Sequence, residues 1–309
     1  MFSKKDGNPV AIIKNDDGAP NEIIYIKDET DENKNDYDVN VDVLEDEAFY
    51  RIDRKKNKLM PPRDIARLKY YLMQNTPPYE ENFKKPYNSA RDELTAKSKY
   101  EINTGYGQHI EMLPPTTGTQ RFIISGMTGS GKSTMASSYM QKYKQLHPNN
   151  DIYLFSQHDK DPVYDKIKIK IKRIPLDMLN ETEITIDALK NSLVIWDDCD
   201  NVQDNALLKK IINLQQDIMS NGRHQGISCI VLLHVLMNYR ATKGLLADIS
   251  GVMLFLSGSK YSVNGFLKRY AGLDQQQIKS ITSLKSRWFY LSMCQPMFVL
   301  SEHKAFLIK

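Results

Sequence analysis

The 309-residue sequence predicts an α/β fold for residues 115–309, with a mainly parallel central sheet covered by helices on both faces. Three observations carry that prediction. From residue 115 onward, short apolar runs alternate with stretches of helical periodicity, the texture of parallel strands buried on both faces. One of those runs leads through a glycine-rich loop into a helical stretch. A second ends in two adjacent carboxylates.

Taken in order, residues 22–26 (Glu-Ile-Ile-Tyr-Ile) read as a short strand. Residues 28–47 hold ten carboxylates and one lysine, too few apolar groups to offset the entropy of ordering, so a flexible segment is expected. Residues 61–73 open on two prolines and carry apolar residues at helical spacing, which predicts one amphipathic helix. Residues 80–115 read as an extended arm with a short helix over 89–99. Strands follow at 122–125, 152–155, 193–196, 227–233 and 252–256. Between the third and fourth, residues 204–219 place Leu207, Leu208, Ile211, Leu214 and Ile218 on one helical face, with Gly222 as the C-cap. The tail (288–293, 297–300, 305–308) reads as an antiparallel extension of the sheet. Three segments result: an acidic, partly flexible N-terminal segment (1–60), a helical and extended linker arm (61–114), and the α/β domain (115–309).

Apolar residues make up 41% of the chain and charged ones 26%, ordinary for a soluble globular protein. No apolar run approaches the roughly 18 residues that a membrane span needs, and the first residues lack a secretory signal's hydrophobic stretch. Three cysteines (Cys199, Cys229 and Cys294) are too few and too scattered for a metal site or a disulfide framework, which predicts a reducing, intracellular setting. The net charge of +4 conceals an asymmetry. Of 38 acidic and 42 basic residues, 15 and 6 fall in residues 1–53, leaving 23 and 36 for the remainder. A basic body suggests a polyanionic partner.

The glycine-rich loop is Gly126-Met127-Thr128-Gly129-Ser130-Gly131-Lys132-Ser133, followed by Thr134. It matches G-x-x-x-x-G-K-[ST] in full, in the strand–loop–helix context the motif requires. Backbone N–H groups from Thr128 to Lys132 can converge on a β-phosphate, helped by the positive end of the helix dipole. Lys132 supplies a point charge to the β- and γ-phosphates, and the Ser133 hydroxyl suits Mg²⁺. The loop predicts a bound nucleoside triphosphate, ATP.

The run Leu193-Val194-Ile195-Trp196-Asp197-Asp198 has the pattern of a Walker B strand. Asp197 at the strand end is expected to hold Mg²⁺ with Ser133, and Asp198 to orient and deprotonate the attacking water. Asp200 reads as a loop or cap residue. Farther on, Arg223 stands just before an apolar strand and His234 at that strand's far end. An arginine so placed can reach a neighbouring subunit's γ-phosphate, and a polar residue ending the strand can sense that phosphate.

Together, Gly126–Thr134, Asp197-Asp198, and Gly222-Arg223-His224-Gln225-Gly226-Ile227 with its following strand resemble the FtsK–HerA superfamily of P-loop ATPases. Within it, the double aspartate and the Gly-Arg-His run look like the genome-packaging ATPases of large eukaryotic DNA viruses. The resemblance covers about residues 115–300. It implies a RecA-like P-loop NTPase core and a homo-oligomeric ring, usually a hexamer, that hydrolyses ATP with Mg²⁺ and translocates double-stranded DNA. Arg223 would then act in trans as an arginine finger. It also implies a place in the host cytoplasm, a viral factory or the virion; the acidic N-terminal arm, which the resemblance does not cover, suits basic capsid or portal-vertex proteins by its charge alone. The chain departs from the family at His234, where glutamine is usual.

Lysines alternate with isoleucines over residues 166–172. On a strand this would give one apolar and one basic face, serving either to track DNA phosphates or to guard an edge strand against aggregation. His109, His147, His158, His224 and His303 lack metal-ligand spacing. Two other functions fit a phosphate loop: a nucleotide kinase, which would need an arginine-rich lid that the sequence lacks, and a nucleotide-gated docking subunit without motor activity.

Overall fold

The computed structural model describes residues 1–27, 50–53, 58–74, 76–200, 202–236, 239–257 and 260–308. The acidic stretch 28–47 lies outside the described residues. Strands run in chain order as β1 (Phe2–Ser3), β2 (Asn8–Asn15), β3 (Glu22–Ile26), β4 (Arg51–Asp53), β5 (Lys58–Leu59), β6 (Glu101–Asn103), β7 (Gln108–Met112), β8 (Arg121–Ser125), β9 (Asp151–Ser156), β10 (Lys172–Pro175), β11 (Ser192–Asp197), β12 (Ser228–Leu233), β13 (Gly251–Phe255), β14 (Trp288–Ser292), β15 (Phe298–Ser301) and β16 (Lys304–Leu307).

Ten strands form one sheet in the order β10-β9-β11-β12-β8-β13-β14-β15-β16-β6. From β10 to β13 every neighbouring pair is parallel, and from β13 to β6 every pair is antiparallel. The apolar sequences explain the parallel half. Every residue of Ser-Leu-Val-Ile-Trp-Asp in β11 and of Ser-Cys-Ile-Val-Leu-Leu in β12 is buried, as a strand covered on both faces requires. Alternation then divides the core. Val194, Trp196, Cys229, Val231 and Leu233 face the Asn205–Asn221 helix and the C-terminal helices. Leu193, Ile195, Ile230 and Leu232 face the Lys132–Leu146 helix. The helix predicted over 204–219 spans Asn205–Asn221, with the Asp204 side chain accepting from the N–H groups of Ala206 and Leu207. Gly222 follows in right-handed conformation, and a 3₁₀ turn carries the chain on to Gly226, which takes the left-handed position at φ 69°.

Before residue 115 the chain is more regular than an extended arm. The expected 89–99 helix runs over Glu81–Tyr100 and packs on the Pro62–Met73 helix through Leu68, Leu72, Tyr87 and Leu94. Tertiary burial, rather than local propensity, accounts for the extra length. β6 pairs with β16 and so supplies the outermost strand of the large sheet. A second sheet, β1-β3-β2-β7, lies against the antiparallel end. It is joined there by the Ile110 N–H donating to the Glu302 carbonyl at 2.7 Å and by an edge contact between Phe2 and Phe298.

The lysine–isoleucine alternation is not a single strand. Tyr164–Lys166 is a 3₁₀ turn, residues 167–171 carry no regular structure, and only Lys172–Pro175 joins the sheet, at its edge. Asp161 accepts from the N–H groups of Val163 and Tyr164, and an Arg173–Asp165 ion pair closes the excursion. The amphipathic division survives without the ladder. Ile167, Ile169 and Ile171 pack on the core beside the Lys132–Leu146 helix, while Lys166, Lys168 and Lys170 stay exposed.

Candidate nucleotide site

The site forms at the C-terminal ends of β8, β11 and β12. β8 ends at Ser125, the loop turns through residues 126–131, and the helix begins at Lys132. A Cβ on Gly126 would lie 2.6 Å from Ser130 Oγ and 3.0 Å from Phe255, so the loop could not pass between them. Gly129 and Gly131 have φ of 76° and 107°, a region costly to residues with a side chain. Their role is the turn itself, with crowding confined to Gly126. Met127, Thr128 and Gly129 are exposed, leaving the loop tip open to a ligand. Ser130 Oγ is buried without a hydrogen-bond partner, an open donor facing the loop interior.

Lys132 is buried and donates to the carbonyls of Gly126 at 2.9 Å and Met127 at 3.3 Å. Burial lowers its pKa, against the pull of Asp197, Asp198 and Asp200. Ser133 donates its hydroxyl to Asp197 Oδ2 at 3.2 Å. One strand, β12, lies between the loop strand and the strand carrying Asp197, and this spacing brings the two ends together.

Asp197 is buried, and burial holds its carboxyl above the ordinary aspartate value; Asp198 adds to that effect, while hydrogen bonds from Tyr164 and Ser133 oppose it. A carboxylate costly to ionise, beside a hydroxyl oxygen, is a hard-oxygen pair that a divalent cation would relieve, and such pairs suit Mg²⁺. The residues fit that ion. Thr134 follows on the first helical turn and is exposed.

Asp198 sits at φ 54°, in the left-handed region that aspartate adopts more readily than most residues with a side chain. Its carboxylate stands between two imidazoles, 3.8 Å from His234 Nε2 and 3.8 Å from His158 Nε2. His234 is fixed from behind. It donates its backbone N–H to Asp200 Oδ2 at 2.9 Å, and its Nδ1 lies 3.1 Å from Asp200 Oδ1. Asp200, which the sequence presents only as a loop or cap residue, thus fixes the His234 ring from the far side. Tyr164 had no signal in the sequence; it donates its hydroxyl to Asp197 Oδ2 at 2.7 Å. His158, set aside for want of ligand spacing, arrives through the loop after β9.

Arg223 is elsewhere. It is exposed on the 3₁₀ turn preceding β12, at the opposite end of a six-residue strand, roughly 20 Å from the loop at about 3.3 Å per residue. The other predicted site residues, Gly126 to Thr134, Asp197, Asp198 and His234, converge at one end of the sheet. Among the described residues, no cluster of histidine, cysteine and acidic side chains could hold a metal by itself, and no helix is long and apolar enough to cross a membrane.

The parallel strand order, the glycine-rich loop after β8 and the carboxylates one strand removed define a P-loop NTPase fold. No family model matches the sequence. The chain belongs to the family of "Uncharacterized protein V3" of Sputnik virophage, being 30% identical to it over 216 residues, 69% of this chain and 87% of that protein. Among solved structures it is similar to the genome packaging NTPase B204 of Sulfolobus turreted icosahedral virus 2 bound to AMPPCP, at 11% identity and TM-score 0.42, covering 59% of this chain and 97% of that one. It is also similar to B204, the DNA-packaging ATPase of Sulfolobus turreted icosahedral virus, at 13% identity and TM-score 0.43, covering 60% and 98%.

Proposed function

We propose that this protein is an ATPase motor that translocates double-stranded DNA and packages a viral genome into its capsid, working as a homo-oligomeric ring. The observation that carries this reading is its two-ended geometry. A half-complete hydrolytic site lies at one end of β12, and an exposed arginine lies at the other, out of reach of its own loop. A ring in which each Arg223 meets the next subunit's loop makes both ends useful.

In this reading the loop and Lys132 bind and orient the β- and γ-phosphates. Ser133 and Asp197 would hold Mg²⁺, which would supply positive charge to neutralise those phosphates. Asp198 accepts a proton from the attacking water, its left-handed backbone placing the carboxylate beside His234 and His158. His234, fixed by Asp200, faces both that carboxylate and the γ-phosphate position. Arg223 from the neighbouring subunit stabilises developing charge, an effect of roughly 10³–10⁵ in well-studied NTPases. The basic body, and the exposed Lys166, Lys168 and Lys170 in particular, supports DNA as the polyanion. The acidic N-terminal segment is the part suited to basic surfaces of capsid or portal-vertex proteins.

ATP hydrolysis measured with and without double-stranded DNA tests the proposal. DNA is expected to raise the rate, and Lys132→Ala to abolish it. A rate indifferent to DNA, with no DNA bound, would refute the motor reading while leaving the nucleotide site intact.

A further inference from the structure

A cavity of about 490 Å³ opens where the phosphate loop ends. Thr134, which directly follows the loop motif on the first turn of the helix, is part of the cavity wall. From there the cavity follows the Lys132–Leu146 helix past Ser138. Its floor includes Ile124 of β8, Met253 of β13 and Trp288 of β14, and its rim includes His109 of β7. The volume is within the range of about 300–1,000 Å³ common to small-molecule sites, and the apolar floor is bordered by polar side chains that include Glu111, Lys142, Arg287 and Glu302.

Sheet order fixes which way a bound triphosphate must lie. Asp197, Asp198 and His234 stand on the β11–β12 side of β8, while the cavity lies on the β13–β14 side. With the γ-phosphate beside the carboxylates, the α-phosphate leaves the loop past Thr134, toward the cavity. The outer wall is not a loose flap. Lys142 of the helix pairs with Glu111 of β7 at 2.6 Å, and β7 is fastened to the large sheet through Ile110 and Glu302.

We propose that this cavity takes the nucleoside, base and ribose together, of the triphosphate held by the loop, and that β7 of the N-terminal sheet forms its outer wall. The inference rests on the reading of the loop as a triphosphate site. It assigns to residues outside the parallel core a direct part in nucleotide recognition: the loop holds phosphate, and the cavity distinguishes a nucleotide from bare polyphosphate.

Calorimetric titration of the full chain with ATP and with inorganic tripolyphosphate, each with Mg²⁺, tests this. ATP is expected to bind at least about tenfold more tightly than tripolyphosphate. Ser138→Phe, which fills the cavity from the helix, should remove that ratio while leaving tripolyphosphate affinity within about twofold. His109→Ala changes the rim without crowding the helix and should lower the ratio by about threefold, which keeps the test decisive if Ser138→Phe does not fold. Equal binding of ATP and tripolyphosphate to the wild-type chain overturns the cavity assignment alone, as does His109→Ala leaving the ratio unchanged or Ser138→Phe weakening both ligands alike. Failure of both ligands to bind the wild-type chain overturns the triphosphate reading, and the cavity assignment with it.

Discussion

Asp200 holds His234 by two bonds and presents the far side of its imidazole to Asp198. Residues acting through one another are not independent, so the losses from Asp200→Ala and His234→Ala should not add. Each substitution is expected to lower kcat, with the double variant little worse than either and a coupling of about 0.5–3 kcal/mol. Additive losses would show that Asp200 does not act through His234. Asp197 makes a different prediction. Because burial raises its folded-state pKa, its ionised form costs stability above the ordinary value of 3.8, and that cost vanishes below it. Asp197→Asn should therefore raise the thermal midpoint at neutral pH, by roughly 2–4 °C per kcal/mol recovered, while abolishing Mg²⁺-dependent hydrolysis. The stability gap should close as pH falls toward the ordinary aspartate value; a midpoint lower than wild type at neutral pH would contradict the buried-charge account.

At the scale of elements, the segment from Tyr164 to Lys172 connects the site to the basic surface. Its first residue clasps Asp197, and its isoleucines seal one face of the core. Lys172 pairs with Asp151, and Lys166, Lys168 and Lys170 project outward. If these three lysines meet DNA phosphates, replacing them with glutamine should reduce the slope of log affinity against log salt by up to about 0.9 per lysine. Filter binding across a salt series measures that slope. An unchanged slope would leave the row as protection for the sheet edge at β10.

For the whole molecule, the separation of Arg223 from its own loop predicts complementation. Lys132→Ala and Arg223→Ala chains, each inactive alone, should recover part of their ATPase activity when mixed, because some interfaces then pair an intact loop with an intact arginine. No recovery in mixed assemblies of confirmed ring mass would remove Arg223 from the neighbour's site.

Much of this protein was legible in its sequence because the relevant physics is local. The phosphate loop is a short run whose glycines and lysine are specified by backbone conformation and ligand charge. The parallel strands announce themselves because burial on both faces demands uninterrupted apolar residues. The start of the Pro62–Met73 helix followed from its prolines. What tertiary structure alone decided depends on groups distant in the chain. Tyr164 reaches Asp197 across 33 positions and Asp200 reaches His234 across 34, separations at which no periodicity survives. The isoleucine–lysine alternation specified which side chains would be buried, but not that a turn anchored at Asp197 would keep most of the segment out of the sheet. β6 and β7 were illegible for the same reason. Each is short, and each owes its place to a partner, β16 or β2, with which it exchanges hydrogen bonds only once the chain has folded.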